Sequence, residues 1–347
     1  MKKRWIILML AMIIIAIAGL FTKEPSFDCD FSKINAADVA WLITATIFVL
    51  MMTPGLSFFY GGMVGTKNVI STMLQSFIAM GIISVLWVVF GFSLVFGDDI
   101  GGIIGNPLTF LMFDNVGGDI YITPTEKILG GGTIPLALFA LFQMKFAIIT
   151  PSLITGSFAE RVRFSAYMFF MMFFFVFIYC PLAHMTWHPD GFFMKLGVID
   201  FAGGIVVHAS SGVAALAGAI FLGSRQSHDK KSEPANIPLV LLGAAMLWLG
   251  WFGFNGGSSL HADGMAIKAF LNTNTASATA MMTWIFFDCL RGRKPSAMGA
   301  AVGCVVGLVA ITPSAAYVTV GESIFISFVI TIISNLAVYW KSHSSID

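Results

Sequence analysis

The sequence predicts an all-α protein that crosses a membrane many times. Hydrophobic residues make up 57% of the 347 residues and charged residues 11%, and the mean hydropathy is +0.88. Soluble domains contain about 25% charged residues. The apolar residues form long runs without the alternation that barrel strands require, so each run fits a membrane-crossing helix. A net charge of +1 argues against a nucleic-acid partner.

The first apolar run has the layout of a signal peptide. Three basic residues at positions 2–4 precede an apolar stretch from Trp5 to Leu20, and Ala16 and Ala18 provide a small-residue cleavage site. We therefore predict a signal peptide over residues 1–18, with an uncleaved first span as the alternative.

Nine further runs are predicted to cross the membrane as one transmembrane domain over residues 38–341. Each is close to the length that a spanning helix needs, although the seventh is short. The predicted spans are 38–60, 69–96, 133–158, 164–183, 199–222, 237–257, 275–290, 296–312 and 321–340.

The distribution of charge predicts the orientation of this domain. If the mature N-terminus lies outside, ten basic residues fall in inside loops or at the inside end, and three fall in outside loops, one of which is Lys268. Inside loops of membrane proteins are rich in lysine and arginine, so the N-terminus is predicted to lie outside. Segment 224–236, with Lys230 and Lys231, is predicted to be an inside loop.

Two short fragments occur twice in the chain. Ile149–Ser152 recurs as Ile311–Ser314, and Phe59–Gly62 resembles Phe254–Gly257. They pair the first span with the sixth and the third with the eighth, and both pairs run in opposite directions in the predicted orientation. This pattern predicts an inverted repeat of five helices with a site at the interface between the repeats.

His208 is the residue most suggestive of function. If its helix begins near Ile199, a rise of about 1.5 Å per residue places His208 roughly 14 Å into a hydrocarbon core about 30 Å thick. An ionisable ring at that depth is costly and commonly functional. The alternative is a histidine that only hydrogen-bonds to a neighbouring helix.

Long strings in the chain resemble the ammonium transporter family, in the Amt/Mep branch of the ammonium transporter and Rhesus superfamily. They are TPGLSFFYGG from Thr53, FAIITP from Phe146, AERVRFSA from Ala159, AHMTW from Ala183, DFAGG from Asp200 and GWFGFNGGS from Gly250. The resemblance covers nearly all of residues 38–347. It implies eleven helices in an inverted repeat, a homotrimer with one pore per subunit, and passage of ammonium or ammonia across the plasma membrane.

The resemblance also implies a binding site. Trp187 and Ser258 would hold the ammonium ion at an outer vestibule, and Phe146 and Phe254 would stack to close it. A ring face attracts cations and a hydroxyl oxygen accepts an N–H bond, so the residue types suit the ligand. Without the resemblance, Trp187 would fit an interfacial belt and no single one of the 34 phenylalanines would stand out.

Two further roles follow from the resemblance. Asp200 matches a structural aspartate, and we expect it to cap backbone N–H groups at the start of the fifth span. His208 matches the first of two hydrogen-bonded pore histidines. An apolar pore makes a bare cation expensive, so it favours loss of the proton or its relay along imidazoles.

The chain departs from the family pattern in two places. Lys145 stands where the family usually has a small polar residue, and it would either face the pore and repel the substrate or lie at an interface between helices or subunits. The family also has a tenth and an eleventh helix, a second histidine, expected here near position 370, and an inside tail that binds a nitrogen-regulatory signal protein. We therefore expect a C-terminally incomplete domain that ends at Asp347.

The leading functional hypothesis is an ammonium transporter or channel. The alternative is a non-conducting ammonium sensor or a truncated, inactive relative. An enzyme is not predicted, because the chain has no HExxH motif, no GxSxG motif and no paired membrane aspartates, and no nucleophile or metal partner is visible for His208. No cofactor and no metal site are predicted.

Overall fold

The computed structural model describes residues 2–23, 25–30, 32–225 and 233–344, which fold mainly into helices. Lys230 and Lys231, predicted to lie in an inside loop, fall outside these ranges. Within them, eight helical segments are long and apolar enough to cross a membrane: Ala36–Met63, Thr66–Phe96, Leu136–Phe158, Phe164–Lys195, Gly204–Leu222, Ile237–Ser259, Ala297–Ser314 and Val320–Ser342. The predicted class, an all-α multi-pass membrane protein, is confirmed.

The helices are numbered in chain order. They are α1 (Lys2–Gly19), α2 (Ala36–Met63), α3 (Val69–Phe77), α4 (Ala79–Leu86), α5 (Phe92–Phe96), α6 (Leu136–Leu153), α7 (Thr155–Phe158), α8 (Phe164–Phe174), α9 (Cys180–Trp187), α10 (Phe192–Lys195), α11 (Ser210–Leu222), α12 (Ile237–Gly256), α13 (Gly264–Leu290), α14 (Ala297–Ile311) and α15 (Val320–Ser342). π-Helical turns cover Trp87–Gly91, Phe175–Tyr179 and Gly204–Ala209. 3₁₀ turns cover Thr66–Asn68, Leu111–Phe113, Gly257–Ser259 and Thr312–Ser314.

Helices α2 and α12 share the most extensive helix–helix contact of the bundle. Glycines allow the close approach, since a Cβ atom on Gly243 would lie 2.4 Å from a backbone nitrogen of α2. The pair is antiparallel. Trp41, near the start of α2, donates to the carbonyl of Gly256 at the end of α12 (3.3 Å), while Gly62, near the end of α2, adjoins Asn236, which caps the start of α12. The predicted first and sixth spans therefore run in opposite directions.

Helix α13 differs from the predicted seventh span, which was placed at 275–290. The helix begins at Gly264 and has 27 residues, and Lys268, predicted to lie in an outside loop, belongs to its second turn. Asn272 is fully buried and donates to the carbonyls of Ala315 and Val318, both at 2.8 Å. Hydropathy gave the wrong start because the polar side chain of Asn272 is bonded to the chain between α14 and α15 rather than to water.

The fifth predicted span also begins at a different place. Its helical part starts at Gly204 rather than near Ile199. Gly203 has φ +106°, a left-handed conformation that favours glycine and that a right-handed helix cannot contain. His208 is therefore only about 6 Å from the start of its helix, at about 1.5 Å per residue, instead of the roughly 14 Å expected from the sequence.

The segment predicted to be a signal peptide, residues 1–18, lies almost entirely in α1. Its described side chains are mostly exposed, and Arg4 donates to the hydroxyl of Ser165 in α8 (3.0 Å). Gly19, at the other end of α1, adjoins Met112. Helix α1 thus lies beside the bundle and adds little to its buried core.

The segment 97–135, between α5 and α6, covers one end of the bundle, which we call the loop end. It contains a two-stranded antiparallel hairpin, β1 (Asp99–Ile100) and β2 (Ile104–Gly105), which was not predicted. Tyr121 donates its hydroxyl to Asp98 (2.8 Å), and burial, with that carboxylate, raises the pKa of Tyr121. Phe110 packs between Phe92 and Tyr121, so the segment is anchored to α5.

Candidate functional site

A cavity of about 230 Å³ at the loop end brings together three of the residues singled out from the sequence. Trp187, Ser258 and Phe146 line it, together with Gln143. The remaining lining residues are apolar side chains and backbone, namely Phe96, Ile128, Leu129, Gly130, Gly131, Phe139, Pro189, Phe201 and Leu260. The cavity can therefore offer ring faces and a small number of polar atoms to a ligand.

Phe146 and Phe254 form a stacked pair behind the cavity. Their ring centroids are 4.2 Å apart and their planes differ by 26°. Phe146 comes from the middle of α6 and Phe254 from the last turn of α12, and both rings are almost completely buried. The ring of Trp187 stands at 89° to that of Phe146, at 5.9 Å. Two helices from different halves of the chain thus close the cavity with aromatic rings.

Trp187 and Ser258 each use their hydrogen atom for a bond within the protein. The indole Nε1 of Trp187, the last residue of α9, donates to the carbonyl of Asp200 (2.9 Å). The hydroxyl of Ser258, in a 3₁₀ turn after α12, donates to the carbonyl of Phe254 (2.7 Å). What remains for a ligand is the ring of Trp187 and the lone pairs of the Ser258 oxygen, and both suit a cation that donates hydrogen bonds.

The Asp200 side chain caps the helix that carries His208. One carboxylate oxygen accepts from the N–H groups of Gly203 (2.9 Å) and Gly204 (2.6 Å), and the other from Ile205 (2.8 Å) and Val206 (3.1 Å). Burial raises the pKa of this carboxyl group, and the four N–H groups act against that rise. The backbone carbonyl of Asp200 also accepts the hydrogen bond from Trp187, so Asp200 links the cavity to the start of the helix that carries His208.

His208 lies on the far side of the aromatic pair from the cavity. Its ring is 5.8 Å from that of Phe254 and stacks on Trp251 at 5.2 Å and 17°. It belongs to a π-helical turn, in which its N–H group bonds to the carbonyl of Gly203 (3.1 Å). The Nε2 atom is buried and has no hydrogen-bond partner in the described parts of the chain. Rings from Trp187, Phe146, Phe254 and His208 therefore follow one another from the cavity into the bundle.

Lys145 is not among the residues that line the cavity. The side chain is buried within α6, and its Nζ atom lies 3.7 Å from Met144 Sδ. Lys145 is thus buried in α6 outside the cavity lining, and both of its predicted placements, facing the pore or at an interface, stay predictions.

Gln143, which lines the cavity, and a pair of stacked histidines near Trp187 were not predicted from the sequence. His184 is fully buried, donates through Nδ1 to the carbonyl of Val95 (2.7 Å) and bonds through Nε2 to Asp99 (2.9 Å). Its ring stacks on that of His188 at 4.4 Å. These contacts hold the last turns of α9, in which His184 lies three residues before Trp187. The AHMTW string contained His184, but its partner Asp99 lies 85 residues away.

Comparisons with known proteins show which family and which proteins this chain is similar to. A sequence model of the Ammonium Transporter Family matches residues 40–347. An ammonium transporter of Bacillus subtilis is 44% identical over 303 residues, which are 87% of this chain and 71% of that protein. The crystal structure of Saccharomyces cerevisiae Mep2 matches with a TM-score of 0.84 and 32% identity, over 94% of this chain and 74% of that one. A sensor Amt protein matches with a TM-score of 0.77 and 32% identity, over 87% and 74%.

Proposed function

Because the chain belongs to the ammonium transporter family, we propose that it conducts ammonium or ammonia across a membrane, along the row of rings from Trp187 to His208. The observation that carries this proposal is the series of four rings, which begins at a cavity with polar atoms and ends at a buried imidazole. The alternative of an enzyme receives no support, since the family is one of transporters.

Recruitment takes place at Trp187 and Ser258. An ammonium ion has four N–H donors and a positive charge, and the site offers it a ring face and a hydroxyl oxygen. A cation over an indole ring gains about 0.5–2 kcal/mol, depending on how far the site excludes water. This energy holds the ion at the entrance without binding it too tightly to move on.

Passage beyond the cavity requires the Phe146–Phe254 pair to part. A charged ion is costly among buried rings, so the ion tends to give up a proton before it passes or to hand it to a polar group. His208 is the first such group beyond the rings, and its Nε2 atom is buried without a protein partner in the described structure. We assign it the role of receiving the substrate or its proton.

The proposal includes an orientation and partners. The excess of basic residues at the other end supports an orientation in which the loop end and its cavity lie outside a plasma membrane. The family resemblance adds a homotrimer and, on the inside face, a nitrogen-regulatory signal protein. Each of these remains a proposal for this chain.

Growth of a host strain without its own ammonium uptake systems tests the proposal. The protein should restore growth on low ammonium, and Ser258→Ala should raise the ammonium concentration needed for half-maximal growth. Ser259→Ala is the matched control, because the neighbouring Ser259 hydroxyl bonds to the carbonyls of Gly256 and His261 and does not line the cavity. No growth with protein present in the membrane would refute transport, and equal effects of both variants would refute the proposed recruitment site.

A second function is favoured by the similarity to a sensor Amt protein. In that case the cavity binds ammonium and the bundle transmits the binding without flux. Saturable ammonium binding to purified protein, together with background flux in liposomes, would support the sensor and contradict the transporter.

A further inference from the structure

We propose that Gln143 is a third ligand of the ammonium ion in the cavity, supplying an amide oxygen beside the ring of Trp187 and the hydroxyl of Ser258. This inference rests on the proposed recruitment site and adds a residue to it. Gln143 lies in α6, three residues before Phe146, and both side chains line the same cavity. Residues three apart in a helix share a face, so Gln143 lies one turn from Phe146, toward the start of α6 and the loop end.

The other two polar side chains that line the cavity do not donate a hydrogen bond to Gln143. Trp187 and Ser258 donate their hydrogen atoms to carbonyl groups of the protein. The Oε1 atom of Gln143 is buried and accepts no hydrogen bond from any residue in the described ranges. A buried oxygen without a donor is costly, so a structure retains it at little expense only where a donor arrives from elsewhere.

An ammonium ion is the donor that this cavity is proposed to receive. The terminal torsion of a glutamine side chain is broad, so a small rotation turns Oε1 toward an entering N–H group. Ser258 follows α12 and Gln143 belongs to α6, the two helices whose phenylalanines stack face to face. The two oxygens can therefore accept from different N–H bonds of one ion, while Trp187 covers a third side.

The amide also explains how the site can discriminate between ammonium and potassium ions. The potassium ion has the same charge as ammonium but no hydrogen to donate, and it prefers several oxygen ligands at once. Two oxygen atoms and a ring face suit an ion with directed N–H bonds better than one that needs a full oxygen shell. Gln143 thus adds a directional contact to a site otherwise built on a ring face and one hydroxyl group.

The test compares substitutions by the half-saturation concentration of ammonium-driven flux in liposomes. Gln143→Leu removes the oxygen at similar size and should raise this concentration roughly tenfold, the effect of losing a hydrogen bond to a charged ligand. Gln143→Glu keeps an oxygen and adds a negative charge, so it should lower it at least threefold. The maximal rate per folded protein should change less than the half-saturation concentration in both variants.

Ser258→Ala serves as the reference that separates the two proposals. If Ser258→Ala raises the half-saturation concentration and both Gln143 variants leave it unchanged, Gln143 is not a ligand and the recruitment site stands. If Ser258→Ala also has no effect, the recruitment site itself is refuted. Should Gln143→Leu fail to fold, as shown by melting in detergent, the Gln143→Glu result decides: a lowered value supports the proposal and an unchanged one overturns it.

Discussion

At the scale of single residues, the site depends on side chains whose protein contacts determine what they offer a ligand. Trp187 uses its N–H group on Asp200, and Ser258 uses its hydroxyl hydrogen on Phe254. Each therefore presents to the cavity the part that attracts a cation: a ring face and an oxygen lone pair. The chemistry of the entrance follows from these two bonds as much as from the residue types.

Trp187→Leu should weaken recruitment of ammonium. Loss of about 1 kcal/mol of cation–ring attraction corresponds to a roughly fivefold higher half-saturation concentration for uptake of ammonium or methylammonium. Trp187→Phe keeps a ring face and should change it less. An unchanged concentration dependence in Trp187→Leu would remove this residue from the site.

Asp200→Ala should affect both stability and recruitment. The substitution frees four N–H groups at the start of the helix that carries His208, and the loss of a helix cap costs about 0.5–2 kcal/mol, here at the upper end. The melting temperature in detergent and the half-saturation concentration report the two effects.

Asp263→Ala is the matched control for this experiment. Asp263 caps α13 through a single bond to the N–H group of Ala266 (3.0 Å) and does not line the cavity. It should lower the melting temperature less than Asp200→Ala and leave the half-saturation concentration unchanged. Equal behaviour of the two variants would contradict the link between Asp200 and the cavity.

At the scale of helices, the sequence predicted most elements and missed where two of them begin. Apolar runs located the spanning segments well, because helices in a membrane must be apolar over about 20 residues. The fifth span starts at Gly204, since Asp200 binds the first N–H groups and Gly203 is left-handed. Neither effect changes hydropathy. The start of α13 was also missed, because polar side chains such as Asn272 lower the hydropathy of its first turns although they are buried and bonded within the protein.

The candidate site, too, could be predicted from the sequence only in part. The family strings contained Trp187 and Phe146, so their involvement could be inferred from the sequence. Gln143 could not be singled out, because only the structure shows that it lines the cavity and that its oxygen has no partner among the described residues. The contact between His184 and Asp99 joins positions too far apart in sequence for spacing to reveal.

Gly243→Ala should destabilise the bundle by separating α2 from α12. Its new methyl group would lie 2.4 Å from the backbone nitrogen of Phe59, which is fixed in a helix. Overpacking of this kind costs about 1–3 kcal/mol. Gly212→Ala is the control, because α11 leaves open space within 4 Å of that position. A melting temperature in detergent that falls equally in both variants, or in neither, would contradict the role assigned to close packing of α2 and α12.

At the scale of the whole molecule, the two halves of the chain meet at the aromatic row. Phe146 comes from α6 and Phe254 from α12, and the repeated fragments had paired the spans of the two halves in opposite directions. Such an arrangement places a site at the interface between repeats, where a pore can run between the two halves. The bundle thus places helices of both halves on either side of the proposed path through the rings.

The most direct test of this path is ammonium-driven flux through the purified protein in liposomes, followed with a pH-sensitive dye inside the vesicles. The path through the rings predicts saturable flux that His208→Ala reduces at least tenfold, with the protein still folded by its melting temperature in detergent. Saturable flux of the same size in His208→Ala would contradict it, because ammonium would then cross without meeting the imidazole beyond Phe254.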